Sequence, residues 1–154
     1  MPDPQSGSQP VYVYRRVHPA QWSPRKNRPG SQAFLEGPGA GLSLFRADLQ
    51  SPRGVMQHAV DTARRWRDSP DAAEQQRGEK QLAQFGETVE TWLQHGWRVV
   101  RVPLAEFIAR GYTFDEPDAD GHVNAFGSHA LHAMDLATIA VELPPEVFDE
   151  TAIP

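Results

Sequence analysis

The side chains in this chain that could do chemistry fall into a few groups. One group runs from the amino-terminal third to a later stretch: Arg15, Arg16, Ser31, Ser43, His58 and His122. Arginine can hold a phosphate through two parallel N–H donors, and a serine hydroxyl can donate beside it. Histidine adds a proton acceptor near neutral pH. Together these residues would make an anion or nucleotide site. Arg16, Ser43, His58 and His122 are the catalytic candidates if the site is an enzyme's. The competing reading is plain: strand serines, and arginines lying over a sheet.

A metal site has a weaker case. His129, His132 and Asp135 are three apart, so on a helix neighbouring members could share a side, and His122 could join them. The catalytic glutamate of H-E-x-x-H is missing, and so is its four-residue spacing. A structural histidine pair is the better reading, and no metal and no cofactor is expected. The acidic run Asp115, Glu116, Asp118 and Asp120 could offer acid–base chemistry, and with Gly121 it meets the calcium-loop pattern only in part. Glu116 stands at the first ligand position, and Gly127 where the closing glutamate belongs. A solvated turn explains it. No G-x-S-x-G elbow and no phosphate loop is present.

The third group is basic. Between Pro4 and Leu35 lie Arg15, Arg16, Arg25, Lys26 and Arg28 with no acid, whereas beyond Arg110 there are nine acids and no Lys or Arg. The loop from Gln21 to Gly30 carries Trp22 beside Arg25, Lys26 and Arg28. Trp22 is expected to be exposed there, as a partner anchor. Arg15, Arg16, Trp22, Arg25, Lys26, Arg28 and Ser31 are therefore the candidates for binding an acidic protein or an anionic small molecule. A net charge of −5 argues against extended nucleic-acid contact.

Composition bounds the rest. A chain of 154 residues is one domain with room for a core. Without cysteine it has no thiol nucleophile and no disulfide, which fits a reducing compartment. Thirteen Arg against two Lys, with many Ala and Pro, is what a GC-rich genome produces. No apolar run reaches membrane-helix length, and residues 1–10 read as a disordered leader rather than a signal peptide. The expectation is a soluble, cytoplasmic chain with no membrane contact.

These groups must be positioned by few elements. Alternation makes Val11–Val17 a strand, with Arg15 and Arg16 on opposite faces. Ser31–Leu35 and Leu42–Arg46 read as strands joined by a Gly-Pro-Gly connection. Ser51-Pro52 starts a helix to about Arg67. Ser69-Pro70 starts a second, weakened at Gly78 and Gly86 by roughly 1 kcal/mol each, so that a kink or a split is expected. Gly96 stops it. Trp97–Val102 is a strand, Pro103 opens a short helix that Gly111 closes, and Thr113–Gly121 is an acidic loop. His122–Phe126 is the last strand, and Ser128 to about Glu142 is read as helix. The fold class is α+β: a small, mostly antiparallel sheet with helices packed on one side, over residues 11–148, with 149–154 a loose tail.

The run Tyr14-Arg15-Arg16-Val17-His18-Pro19, then Ser31-Gln32-Ala33-Phe34, then Leu42-Ser43-Leu44-Phe45, resembles a family of small uncharacterised bacterial proteins. Those share a Tyr-Arg-Arg opening, a Ser-Gln-Ala-Phe strand and a Leu-Ser strand. His58 stands where that family has a helix histidine, and Gly121-His122-Val123 where it has a His-Ala-Val strand. The resemblance covers the first sixty residues and implies a shared fold and polar cluster, with no activity to carry over. An Arg strand followed by a Ser strand also looks loosely like bacterial ADP-ribosyl-transferring and NAD-cleaving folds. Those need a glutamate aimed at the ribose, for which Glu142 is the available residue. Two functions follow as expectations. The first is an accessory or binding module that recognises an acidic or anionic partner through its basic amino-terminal region. The second is a small enzyme or toxin acting on NAD or a nucleotide. Convergence of Arg16, Ser43 and a His or Glu within one pocket, in hydrogen-bond reach, would mark the enzyme, and scattered residues with an open basic surface the module.

Overall fold

The computed structural model describes residues 11–35, 41–127 and 129–149. The leader 1–10, residues 36–40 of the Gly-Pro-Gly connection, Ser128 and tail residues 150–154 lie outside them. The strands are β1 (Tyr12–Val17), β2 (Trp22–Ser23), β3 (Arg28–Pro29), β4 (Leu42–Arg46), β5 (Arg98–Pro103), β6 (Thr113–Phe114), β7 (His122–Phe126) and β8 (Val141–Glu142). Six of them form one sheet in the order β6-β7-β4-β1-β5-β8, and every neighbouring pair is antiparallel. β2 and β3 form a separate hairpin.

Alternation along β1 divides the interior in two. Val13 and Val17 enter a core with Leu42, Leu44, Val100 and Val102, while Tyr14 packs on a second core around Phe45 and Val99. Each buried aliphatic or aromatic side chain contributes roughly 1.5–3 kcal/mol. Helices α1 (Pro52–Arg67), α2 (Ala72–Phe85) and α3 (Val89–Gln94) cover the second core. α4 (Leu104–Ala109) and α5 (Ala130–Ile139) lie on the first. The α+β class and the antiparallel sheet are as the sequence predicts. Most helices do share one side, but the other side is covered too.

Local chemistry sets the helix ends. The Ser51 hydroxyl accepts the Gly54 N–H at 3.0 Å with Pro52 in the first turn, and Val55, Met56, Ala59, Val60 and Ala63 form the buried stripe. The second helix starts later than Ser69-Pro70 suggests, because Asp71 is its cap and accepts the Ala73 and Glu74 N–H groups. The expected split occurs at Gly86, whose φ of 92° no side chain adopts easily.

Two segments differ from expectation. Ser31–Phe34 is a 3-10 turn, not a strand. A strand would send Ala33 and Phe34 to opposite faces, whereas the turn buries both in the first core. The last helix runs from Ala130 to Ile139 with His129 as its cap, and does not continue to Glu142. Val141 and Glu142 instead pair with β5 as an edge strand, which Pro144 and Pro145 then end. In the acidic loop, Thr113–Phe114 adds the opposite edge. Phe148 is buried in the second core, so the chain is anchored to that point.

Gly78 is more than a weak spot in a helix. A Cβ there would lie 2.3 Å from the Arg67 amide nitrogen and 2.5 Å from the Ala63 carbonyl, so α1 and α2 touch through backbone at this position. Gly78→Ala is therefore expected to destabilise by about 1–3 kcal/mol, against its gain in helix propensity. Urea unfolding measures it, and a neutral or stabilising substitution would show the contact to be looser.

Candidate functional site

Arg15 and Arg16 leave the central strand on opposite faces, and this separates the predicted cluster. On the first-core face, the Arg15 guanidinium donates to the carbonyls of Ala33 at 2.8 Å and Ser43 at 2.9 Å. On the α1 face, Arg16 donates to the Val55 carbonyl at 2.8 Å and meets His58 Nδ1 at 3.2 Å. Among the described residues neither has a carboxylate within ion-pair distance. Burial brings both down to about 10, helped for Arg16 by the charge of Arg15. Both stay cationic at neutral pH.

Four of the predicted residues meet on the α1 face. The Ser43 hydroxyl and His122 Nε2 are 2.6 Å apart. The His122 and His58 rings stack with centroids 5.8 Å apart and planes 13° from parallel, and Phe45 packs against both. β-Pairing produces this arrangement. Phe45 is paired with His122 and Ser43 with Asn124, so Ser43 and His122 are diagonal neighbours on one face. Continuing the β1–β4 register from Tyr14 and Phe45 sets Arg16 across from Ser43. Arg16 fills the His58 Nδ1 lone pair, so the ring carries its proton on Nε2. Burial above all, then the charges of Arg16, His122 and Arg65, holds His58 below the usual histidine range, against a weaker pull from Asp120.

Asp118 completes the group, although in sequence the acidic run that holds it is set aside as a solvated turn. Its Oδ1 accepts the backbone N–H of Asp120 at 2.9 Å and of His122 at 3.0 Å, while Oδ2 stands 3.8 Å from His122 Nδ1. The turn is held at Gly121, which has φ 77° and donates its N–H to the Asp118 carbonyl. The sequence signal was the aspartate four residues before the strand histidine, hidden in a partly met calcium loop.

Ser31 is not part of this group. It lies at the 3-10 turn on the first-core face, beside the β2–β3 hairpin. A groove of about 310 Å³ between that hairpin and α5 is lined by Ser23, Lys26, Arg28, Ser31, Met134 and Thr138. A second concavity of about 290 Å³ shares Ser23, Gly30 and Ser31 with it. Arg25 and Lys26 are exposed, and Arg28 bonds the Thr138 hydroxyl at 3.3 Å. None of the three meets a carboxylate among the described residues. Trp22 corrects the expectation: it is only 9% exposed, with the Arg98 guanidinium 4.4 Å above its ring. An indole in a two-residue strand that faces a core is worth more buried than offered to a partner.

The remaining candidates do not assemble. His129 Nδ1 accepts the Leu131 N–H as a helix cap, and Asp135 stands 3.5 Å from Arg110. Among the described residues no group of three or more His, Asp or Glu could hold a metal ion. Glu142 is bonded to Arg98 on β8, four strands from β7, or about 19 Å. That leaves the ADP-ribosyl-transfer reading without its glutamate at the cluster. No helix among the described residues is long and apolar enough to cross a membrane. No protein-family model, no curated protein and no solved structure matches this chain.

The neutral state of His58 has a pH consequence. Below about pH 6.5 the unfolded chain takes up a proton at this residue that the folded chain resists, so stability falls as pH falls through that value. His58→Asn keeps an acceptor for Arg16 but cannot titrate. Its melting temperature is expected to drop less between pH 7 and 5.5 than the parent's, with a residual drop from His18, which is lowered by burial too. An equal drop in both proteins would assign the effect elsewhere.

Proposed function

We propose that the chain is an accessory binding module that takes an acidic polypeptide segment into the groove between the β2–β3 hairpin and α5. The observation that carries this reading is the coincidence of the concavity with uncompensated positive charge at Lys26 and Arg28. Arg25, next to Lys26 in the hairpin turn, extends that charge along the rim. Asn27, at φ 51°, turns this segment tightly, and the Ser23 hydroxyl accepts the Lys26 N–H at 3.3 Å.

The rim is also apolar. Met134 on α5 is 57% exposed and lines the groove itself with Ala137. Cations beside a flexible thioether suit a segment that alternates carboxylates with aliphatic side chains, more than a bare phosphate. The Ser23 and Ser31 hydroxyls and Thr138 supply hydrogen-bond partners along the floor. The reading includes a bacterial, cytoplasmic setting. The bacterial part rests on the resemblance of the first sixty residues, and the cytoplasmic part on the lack of cysteine.

A fluorescein-labelled peptide of alternating Glu and Leu tests it by anisotropy, with inorganic phosphate as competitor. Binding should weaken as salt rises from 50 to 300 mM. The combined Arg25→Glu, Lys26→Glu and Arg28→Glu variant should bind at least about tenfold more weakly, or roughly 1.4 kcal/mol. Affinity that ignores both salt and charge reversal would remove the groove as the binding site, and full displacement by phosphate would reassign it to small anions.

A further inference from the structure

On the face of the sheet opposite the groove, we infer that Ser43, His122 and Asp118 form a nucleophile, base and orienting carboxylate for the hydrolysis of carboxylic esters. A serine hydroxyl 2.6 Å from imidazole Nε2 is at the distance of a proton transfer. With Asp118 on the Nδ1 side, the imidazole carries its proton on Nδ1 and presents the Nε2 lone pair to Ser43. The 3.8 Å between Nδ1 and Oδ2 is longer than a hydrogen bond, but two backbone N–H groups already fix the other carboxylate oxygen. Catalytic contacts of this kind are often long without substrate and tighten when it binds.

The chemistry balances on this chain's own groups. The Ser43 oxygen adds to the carbonyl carbon as its proton moves to His122 Nε2. The ester C–O bond then breaks, and the same proton passes to the departing alkoxide, leaving an acyl-serine. Water attacks that acyl group, gives a proton to His122 and releases the acid, and the proton returns to Ser43. Negative charge builds on the carbonyl oxygen at each addition. Arg16 and His58 lie on the same face as Ser43 and His122. The guanidinium charge there favours that developing charge. His122 keeps 24% of its side chain exposed and Asp118 56%, so the base is reached from solvent along the β7 side of the sheet.

An ordinary hydrogen-bonded serine on a sheet would not be unusually nucleophilic, and this separates the proposal from a structural role. The full-length protein is incubated with a biotinylated fluorophosphonate, and the adduct is mapped by tandem mass spectrometry. One adduct on Ser43 is expected. His122→Gln should abolish it. Asp118→Asn keeps an oxygen for the two backbone N–H groups and should slow labelling roughly 10²–10⁴-fold with an unchanged melting temperature. p-Nitrophenyl acetate, butyrate and octanoate provide the turnover readout against Ser43→Ala. Absence of an adduct on the folded parent would overturn the proposal. So would an adduct at another residue, labelling undiminished in His122→Gln or Asp118→Asn, or labelling without turnover of any of the three esters above the Ser43→Ala rate.

Discussion

Two guanidinium groups set back to back on the central strand are the constraint that the rest of the structure answers to. A cation taken from water must recover hydrogen bonds, and among the described residues no carboxylate reaches Arg15 or Arg16. Backbone carbonyls serve instead. Those of Ala33 and Ser43 satisfy Arg15, and that of Val55 satisfies Arg16. Each bond to a charged donor is worth roughly 1.5–3 kcal/mol. Each also fastens a separate segment to the sheet: the 3-10 turn on one side and α1 on the other. Positive charge is thus held within both layers by backbone alone.

The same constraint sets the groove and the serine–histidine–aspartate group on opposite faces of the sheet. The hairpin groove lies on the Arg15 face, where the 3-10 turn and α5 meet. The serine–histidine–aspartate group lies on the Arg16 face under α1. A six-stranded sheet stands between them, so the exposed charges of the hairpin can change without altering the hydrogen bonds of the cluster. Binding calls for an open rim with mobile cations, and nucleophilic chemistry for fixed atoms on rigid strands. The two faces meet these demands separately.

Local signals carried much of this into the sequence. Alternation in β1 put Arg15 and Arg16 on opposite faces. Ser51-Pro52 marked the start of α1, and the β-branched run from Val99 to Val102 marked β5. Other features depended on packing that no short window contains. Ser31–Phe34 has strand composition, and only the shared core explains a turn that buries Ala33 and Phe34 together. Trp22 sits in a run of basic and proline residues, and the stacking group that covers it, Arg98, is distant in sequence. Gly78 reads in sequence as a helix defect, and only the close approach of the α1 backbone explains it. Asp118 had no motif, because its role depends on the register that brings His122 beside Ser43.

Ser43 is where the two halves of the molecule touch. Its carbonyl accepts from Arg15 on the groove side, and its hydroxyl meets His122 on the other. The same guanidinium holds Ala33, within the turn whose Ser31 lines the groove. A serine in the middle of a strand lacks the sharp elbow that exposes most nucleophiles, so its geometry must come from restraint. Paired to β7 on one side and pinned through its own carbonyl by Arg15, it has little backbone freedom left. Such restraint keeps a hydroxyl within a few tenths of an ångström of its base, and loss of that placement is what catalysis tolerates least. The buried cation therefore serves as a positioning group for the chemistry on the face it does not reach.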